Sequence, residues 1–288
     1  MSNKDLLDNI KKLREMTGVG FKDCKLALDE TNGDIEKSVE FLRKKGIAKA
    51  SKKMGRVAAD GLVLICEKDK MISAIEINSE TDFVAKNKDF ISFCKEISEL
   101  NFQNKSNLEK LKASKMKNNK SVDENLISLI SKIGEKITIR RAKYFDNNGL
   151  NFAYVHNTLE KNIGKVVSIV QTNKNNNQDL MELGSKLAMH IAAQSPLSID
   201  ENGINKDTLE KEIEIIKEEL KNSGKKPEMI EKIASGKIKK FISDNTLLNQ
   251  IWIMDTKKKV KEIIKEYAKV DEIKVIDFVR FKVGEGID

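Results

Sequence analysis

Two stretches of this chain run through the same order of hydrophobic periods, and that repetition constrains the fold more than any single motif does. In the first stretch, Leu62-Val63-Leu64-Ile65 and Met71–Ile77 are apolar runs flanking a polar turn at Lys68-Asp69-Lys70, which reads as a pair of strands. Residues 78–86 make a loop. Phe90, Phe93, Cys94, Ile97 and Leu100 then recur at three and four, the period of a helix with one buried face. In the second stretch Phe152–His156 reads as a strand, residues 160–162 as a turn, Gly164–Gln171 as a strand and Thr172–Gln178 as a loop. A helix follows through Leu180, Leu183, Leu187 and Ile191. Ile137–Phe145 supplies a third strand to the first stretch, after a helix through Leu126, Leu129, Ile130 and Ile133, and Ile276–Val283 supplies one to the second. The expected class is α+β, with two related core halves built on antiparallel sheets.

The remaining segments attach to that core. Leu6, Ile10 and Leu13, then Cys24, Ala27 and Leu28, then Ile35, Val39 and Leu42 give three short helical faces. They are divided by Thr17-Gly18-Val19-Gly20 and by Asn32-Gly33, with Asp34 as an N-cap, and Gly46 is expected to close the third. Residues 1–46 therefore read as a three-helix module and 47–60 as a basic connector. Residues 61–146 form the first core half, and 147–199 with 253–288 the second. Between the two parts of the second half, residues 200–252 carry helical faces at Leu209, Ile213, Ile216 and Leu220 and at Met229, Ile233, Ile238, Phe241 and Ile242. Gly224 and Pro227 lie between the two faces, so the segment reads as an antiparallel helical hairpin. One more helix runs through Val260, Ile263, Ile264 and Tyr267. Residues 103–120 are rich in Lys, Asn and Ser and read as a mobile excursion.

Charge and composition exclude more than they select. The net charge of +8 invites a nucleic-acid partner, yet the excess is lysine. The arginines, which favour bidentate phosphate and base readout, are Arg14, Arg43, Arg56, Arg140, Arg141 and Arg280 alone. Aromatic residues make up only 5%, few for base stacking, so the charge reads first as a solvated surface. Cys24, Cys66 and Cys94 form no CxxC pair, and His156 and His190 are the two histidines. No metal site, cofactor or catalytic residue is expected from that inventory. No run is long and apolar enough to span a membrane. The opening Met1-Ser2-Asn3-Lys4-Asp5 resembles neither a signal nor a transit peptide, which makes the cytoplasm the expected address.

The sharpest local feature is Glu80-Thr81-Asp82-Phe83-Val84-Ala85-Lys86-Asn87, joining a strand to a helix. Spacing alone favours a staple, with Phe83 packed back on the following helix and Asp82 capping its first turn. With Asn78-Ser79 before it, the segment resembles the hallmark of the translation elongation factor Ts family. The likeness extends along the chain in order. It takes in Leu13–Gly20 with Asp23-Cys24-Lys25, a module similar to ubiquitin-associated domains, and Ala58–Leu62. It continues through Gly134-Glu135 with Arg140-Arg141, Ala188–Ala193 and Arg280–Ile287. Departures from the family pattern fall at Ser79, Lys86, Phe21-Lys22 and Gln250-Ile251-Trp252.

The resemblance implies a guanine-nucleotide exchange factor whose partner is elongation factor Tu bound to GDP. It implies that the three-helix module docks on the GTPase domain and that the core reaches the magnesium and phosphate side of the nucleotide site. The hairpin would contribute to partner contact or self-association, as a homodimer or a heterotetramer with the partner. On this reading Thr81, Asp82, Phe83 and Val84 form a wedge beside the magnesium site, with Phe83 inserted. His190 and Ile191 act on the phosphate-loop side, and Arg14 and Phe21 fix the module. Each has a plainer alternative: a staple for Phe83, a hydrogen-bonded helix-face histidine for His190, a solvated charge for Arg14, and the three-helix core for Phe21. Two other classes stand beside this one: a lysine-rich RNA-binding protein, and a hydrolase using Cys66 or Cys94.

Overall fold

The computed structural model describes residues 3–17, 19–173, 179–221, 227–268 and 272–287. Three helices come first: α1 (Asn3–Thr17), α2 (Phe21–Glu30) and α3 (Ile35–Ser51). The first core half is β1 (Asp60–Lys68), β2 (Met71–Ser79), α4 (Asp82–Ala85), α5 (Lys88–Gln103), α6 (Leu108–Ala113), α7 (Val122–Ile133) and β3 (Ile137–Phe145). The second runs β4 (Leu150–His156), β5 (Ile163–Gly164), β6 (Val166–Thr172) and α8 (Leu180–Gln194). After α9 (Lys206–Lys221) and α10 (Pro227–Asn245) come α11 (Val260–Tyr267) and β7 (Val275–Lys282). The expected bend at Gly224 and most of the expected loop at 172–178 lie outside the described residues, as does Gly18.

The strands form two antiparallel sheets, β3-β2-β1-β5 and β4-β6-β7. In each, a hairpin is followed by a third strand laid beside the second member of that hairpin. Each also slips register after the sixth residue of its central strand, at Glu76/Ile77 in β2 and Gln171/Thr172 in β6. The unbroken apolar run Leu62-Val63-Leu64-Ile65 is explained by burial of both faces of β1. Leu62 and Leu64 face α5, packing with Phe90, Cys94 and Ile97. Val63 and Ile65 face the other sheet, packing with Val167, Ile169 and Phe281. On the far side Phe152 and Val170 meet Leu183, Leu187, Ile191 and Ile264 of α8 and α11. The core is thus four layers, helix, sheet, sheet and helix, and the α+β class with antiparallel sheets holds.

Three expectations change. Helix α3 does not close at Gly46 but continues to Ser51, because Gly46 is the point where α3 crosses α7. A Cβ there would lie 3.6 Å from Ser131 Cβ and Oγ, so the glycine serves close packing. The expected strand 164–171 is divided. Ile163 and Gly164 pair with Leu64 and Val63 of the first sheet, whereas Val166 onward belongs to the second. Lys165 at the crossing is held by Asp60 and by the carbonyl of Gly61, 3.0 Å away. Residues 103–120 are not an unstructured excursion. Leu111 and Met116 are buried against α5 and α7, and Met116 N–H donates to Lys120 O at 2.9 Å. Two apolar side chains are enough to anchor a segment whose composition reads as loop.

The helical insertion leaves and re-enters the core at one place: Leu197 N–H donates to Asn245 O at 2.8 Å, and Leu247 N–H to Ser198 O at 2.9 Å. Its two helices are held by Ile216, Leu220 and Ala234 and by a Lys237–Glu219 ion pair of 2.7 Å. At the N-terminus, Ile10, Leu13, Cys24, Ala27, Leu28 and Leu42 form a separate small core.

One buried charge ties the two sheets together. Glu76, on β2 at the register slip, is fully buried and accepts from Arg140 (3.1 Å), Arg141 (2.5 Å), Asn78 (3.0 Å) and the N–H of Gly284 (2.9 Å). Gly284 has φ +74°, and a Cβ there would come within 1.9 Å of Ala59 O, so glycine alone lets the segment after β7 reach this carboxylate. Burial pushes the Glu76 carboxyl up, but the hydrogen bonds from Asn78, Gly284 and Arg141 and the Arg141 charge outweigh it and leave the group below the usual range.

Candidate functional site

The loop after β2 is held rigid at its root and bare at its tip. Thr81 is the N-cap of the one-turn helix α4, yet its hydroxyl makes no cap bond. It donates instead to Glu135 Oε1 at 2.7 Å, and Thr81 N–H donates to Glu135 Oε2 at 3.0 Å. Glu80 accepts from Lys136 N–H at 2.6 Å and lies 3.2 Å from Arg56. Burial works against its charge, but those two donors outweigh it and hold the carboxyl below its ordinary range. Val84 and Ala85 turn inward and are buried beside Phe90. Asn87 caps α5, accepting from Asp89 N–H at 2.9 Å.

Phe83 points the other way and is 79% exposed. The staple reading is overturned: with Val84 and Ala85 filling the core, the helical turn leaves Phe83 on the outside. Asp82 does not cap α5. It pairs with Lys86 at 2.8 Å, and that hydrogen bond holds its carboxyl below the usual range. The four loop residues expected to act together thus divide. Phe83 and Asp82 are presented, Thr81 is committed to Glu135, and Val84 belongs to the core.

His190 and Ile191 lie on the buried face of α8, both fully buried. His190 stacks on Trp252, ring centroids 5.1 Å apart, and its Nε2 lies 3.0 Å from Gln250 Oε1. Gln250 Nε2 donates to Gln194 O (3.1 Å) and Asp244 O (2.8 Å), so its Oε1 is the acceptor and the imidazole carries its proton on Nε2. In this fold the pair fastens the base of the helical insertion to α8, and neither side chain reaches a surface. Burial lowers the His190 pKa, opposed in part by the Gln250 hydrogen bond. An unfolded histidine titrates near ~6.5, so the folded protein loses stability as pH falls through that value towards the lower folded pKa. The stability advantage over His190→Phe, measured by urea unfolding, is expected to shrink between pH 7 and pH 5. A constant gap would mean that burial does not hold the ring neutral.

In the helical module Arg14 is exposed in the last turn of α1, and Phe21 opens α2 at 45% exposure, outside the buried cluster. Met16 and Leu26 are exposed apolar neighbours on the same helices. Cys24, Cys66 and Cys94 are buried, and burial raises the pKa of each, Cys94 most strongly. That is the opposite of an activated nucleophile. Among the described residues no helix is long and apolar enough to cross a membrane.

Glu76, Glu135 and Gln250 have contacts that the sequence patterns did not assign, although Glu135 and Gln250 fall in segments compared with the family. Glu76 lies in a strand, whereas Glu135 lies in the bend between α7 and β3 and Gln250 in the bend after 247–249, and only tertiary structure shows what each holds. The signal that could have marked Glu135 is Gly134, a left-handed C-cap with φ 86° that forces the chain to turn before β3.

The chain is similar to known proteins over most of its length. The sequence model of the family described as "Elongation factor TS" matches residues 80–285. Elongation factor Ts of Rickettsia bellii is 41% identical over 285 residues, covering 97% of this chain and 92% of that protein. Elongation factor Ts of Rickettsia prowazekii is 42% identical over 285 residues, with the same coverage. That of Methylorubrum extorquens (strain PA1) is 41% identical over 284 residues, again with 97% and 92% covered. With the family model matching most of the chain and these relatives aligned over 97% of it, the chain belongs to the elongation factor Ts family.

Proposed function

We propose that this chain is a guanine-nucleotide exchange factor for elongation factor Tu, and that it promotes GDP release by inserting Phe83 beside the magnesium and phosphate site of that GTPase. The observation that carries the reading is an exposed aromatic side chain on a turn fixed at both ends. A GTPase holds GDP through Mg²⁺, backbone amides and ordered switch loops. To release it, a factor needs no acid, base or nucleophile, only tighter binding to the nucleotide-free state than to the GDP state. A pre-formed apolar wedge suits that task, because it costs no ordering on contact. Asp82 stands beside it as the charged neighbour for the metal side. Arg14 and Phe21 provide the docking face of the helical module. The chain is not an enzyme on this reading and works in the cytoplasm.

Release of a fluorescent GDP analogue from purified elongation factor Tu tests the proposal. Acceleration by orders of magnitude is expected. No acceleration, together with binding to generic RNA at physiological salt, would turn the assignment to the lysine surface.

A further inference from the structure

The exchange loop is shaped from outside itself. An N-cap threonine ordinarily spends its hydroxyl on the backbone of its own helix, but Thr81 makes no such bond. Both its donors go to the two carboxylate oxygens of Glu135, at 2.7 and 3.0 Å, and its carbonyl accepts from Ser79 at 3.0 Å. The residue before it, Glu80, is fixed by Lys136 N–H at 2.6 Å. The turn at 134–136 therefore grips two consecutive loop residues, 54 and 56 positions away in sequence. It is itself fixed. Gly134 ends α7, its carbonyl accepts from Lys53 Nζ, and Lys136 Nζ donates to Arg56 O at 2.8 Å. A single helical turn such as α4 does not hold its shape alone.

We infer that Glu135 is the positioning residue of the exchange loop: its bidentate hold on Thr81 sets the orientation of α4 and so presents Phe83 outward. The inference rests on the exchange-factor reading and names a residue that does not itself touch the partner. Glu135→Gln keeps the size of the side chain, removes the charge, and places an NH₂ where one oxygen accepts.

The test measures GDP release from elongation factor Tu as a function of factor concentration, for wild type, Glu135→Gln, Phe83→Ala and the double variant. Glu135→Gln is expected to lower the maximal stimulated rate about tenfold, which corresponds to about 1.4 kcal/mol. The half-saturating concentration should stay unchanged, because the docking face of the helical module is intact. Added to Phe83→Ala, it is expected to lower the rate by less than about twofold, since contacts acting through one group are not additive. Amide hydrogen exchange on the free proteins gives a second readout: the amides of Thr81, Lys86 and Asn87, which donate to Glu135, Phe83 O and Val84 O, should exchange about tenfold faster in Glu135→Gln, with β1 and β2 unchanged. A full tenfold loss repeated in the Phe83→Ala background overturns the positioning role, as does unchanged protection of the Thr81, Lys86 and Asn87 amides. A Phe83→Ala defect beside a normal Glu135→Gln protein overturns this inference alone. A normal Phe83→Ala protein overturns the wedge and the positioning role with it.

Discussion

Phe83→Ala is expected to cut stimulated GDP release by roughly ten- to a hundredfold while moving the melting temperature by no more than about 2 °C. The size follows from differential burial. A phenylalanine side chain taken out of water contributes about 1.5–3 kcal/mol, and each tenfold in an equilibrium requires about 1.4 kcal/mol. If that burial occurs mainly against the nucleotide-free partner, the whole amount appears as loosened GDP. The small thermal effect follows from the position of the ring, which is 79% exposed and belongs to none of the buried clusters. Surface substitutions of that kind stay within about 0.5 kcal/mol. The adjacent residue is the control. Val84 is 6% exposed within the first core. Val84→Ala removes the equivalent of two buried methylene groups, about 1.5 kcal/mol of stability, while leaving the Phe83 ring in place. Two neighbours are thus expected to separate, one altering exchange at constant stability and the other the reverse. A Phe83→Ala protein that melts 5 °C or more below wild type would show that the ring packs in solution. A stable variant with normal exchange would remove Phe83 from the mechanism.

The readable part of this fold is where one side chain determines one local outcome. The period of Phe90, Cys94 and Ile97 demands a helix, and Asp34 does cap α3, accepting from Lys37 N–H at 3.0 Å. The unbroken apolar run Leu62-Val63-Leu64-Ile65 likewise marks a strand buried on both faces. What the sequence left open depends on contacts between distant residues. Phe83 and Val84 are both apolar and adjacent, and no periodicity says which of them faces the core; the phase of a single turn is set by Glu135 holding Thr81. His190 carries the same ambiguity. A histidine on a helix with Leu187 and Ile191 is placed by the phase of the helix, which buries all three, and its hydrogen-bond partner lies 60 residues away at Gln250. The residues that carry the family resemblance mark the segment between β2 and α5, but the geometry of that segment comes from its supports.

The second large effect is on stability. Glu76→Ala is expected to cost about 3–5 kcal/mol, the range for removing one partner from a buried charged cluster, and to lower the melting temperature by roughly 10 °C at about 2–4 °C per kcal/mol. The reason is the number of groups that converge on one carboxylate. Without it, Arg140 and Arg141 lose their shared anion, and the Gly284 N–H and the Asn78 amide lose an acceptor. Arg141 also stacks on Phe281, 4.6 Å from its ring centroid, and donates to Lys282 O at 3.1 Å, so both sheets are affected. The pH dependence has a definite sign. The folded pKa of Glu76 is depressed, so its stabilisation is present above the unfolded value near ~4.3 and is lost as pH falls through the lower folded value. Wild type and Glu76→Ala should therefore differ most at neutral pH and converge in acid, a comparison made by urea unfolding between pH 7 and pH 3. Glu76→Gln, which keeps an acceptor but not the charge, should fall between the two at neutral pH. If Glu76→Ala unfolds with the wild-type midpoint at pH 7, the two sheets are held by the apolar seam of Val63, Ile65, Val167, Ile169 and Phe281 alone. The convergence of arginines on Glu76 would then be a consequence of that packing and no cause of it.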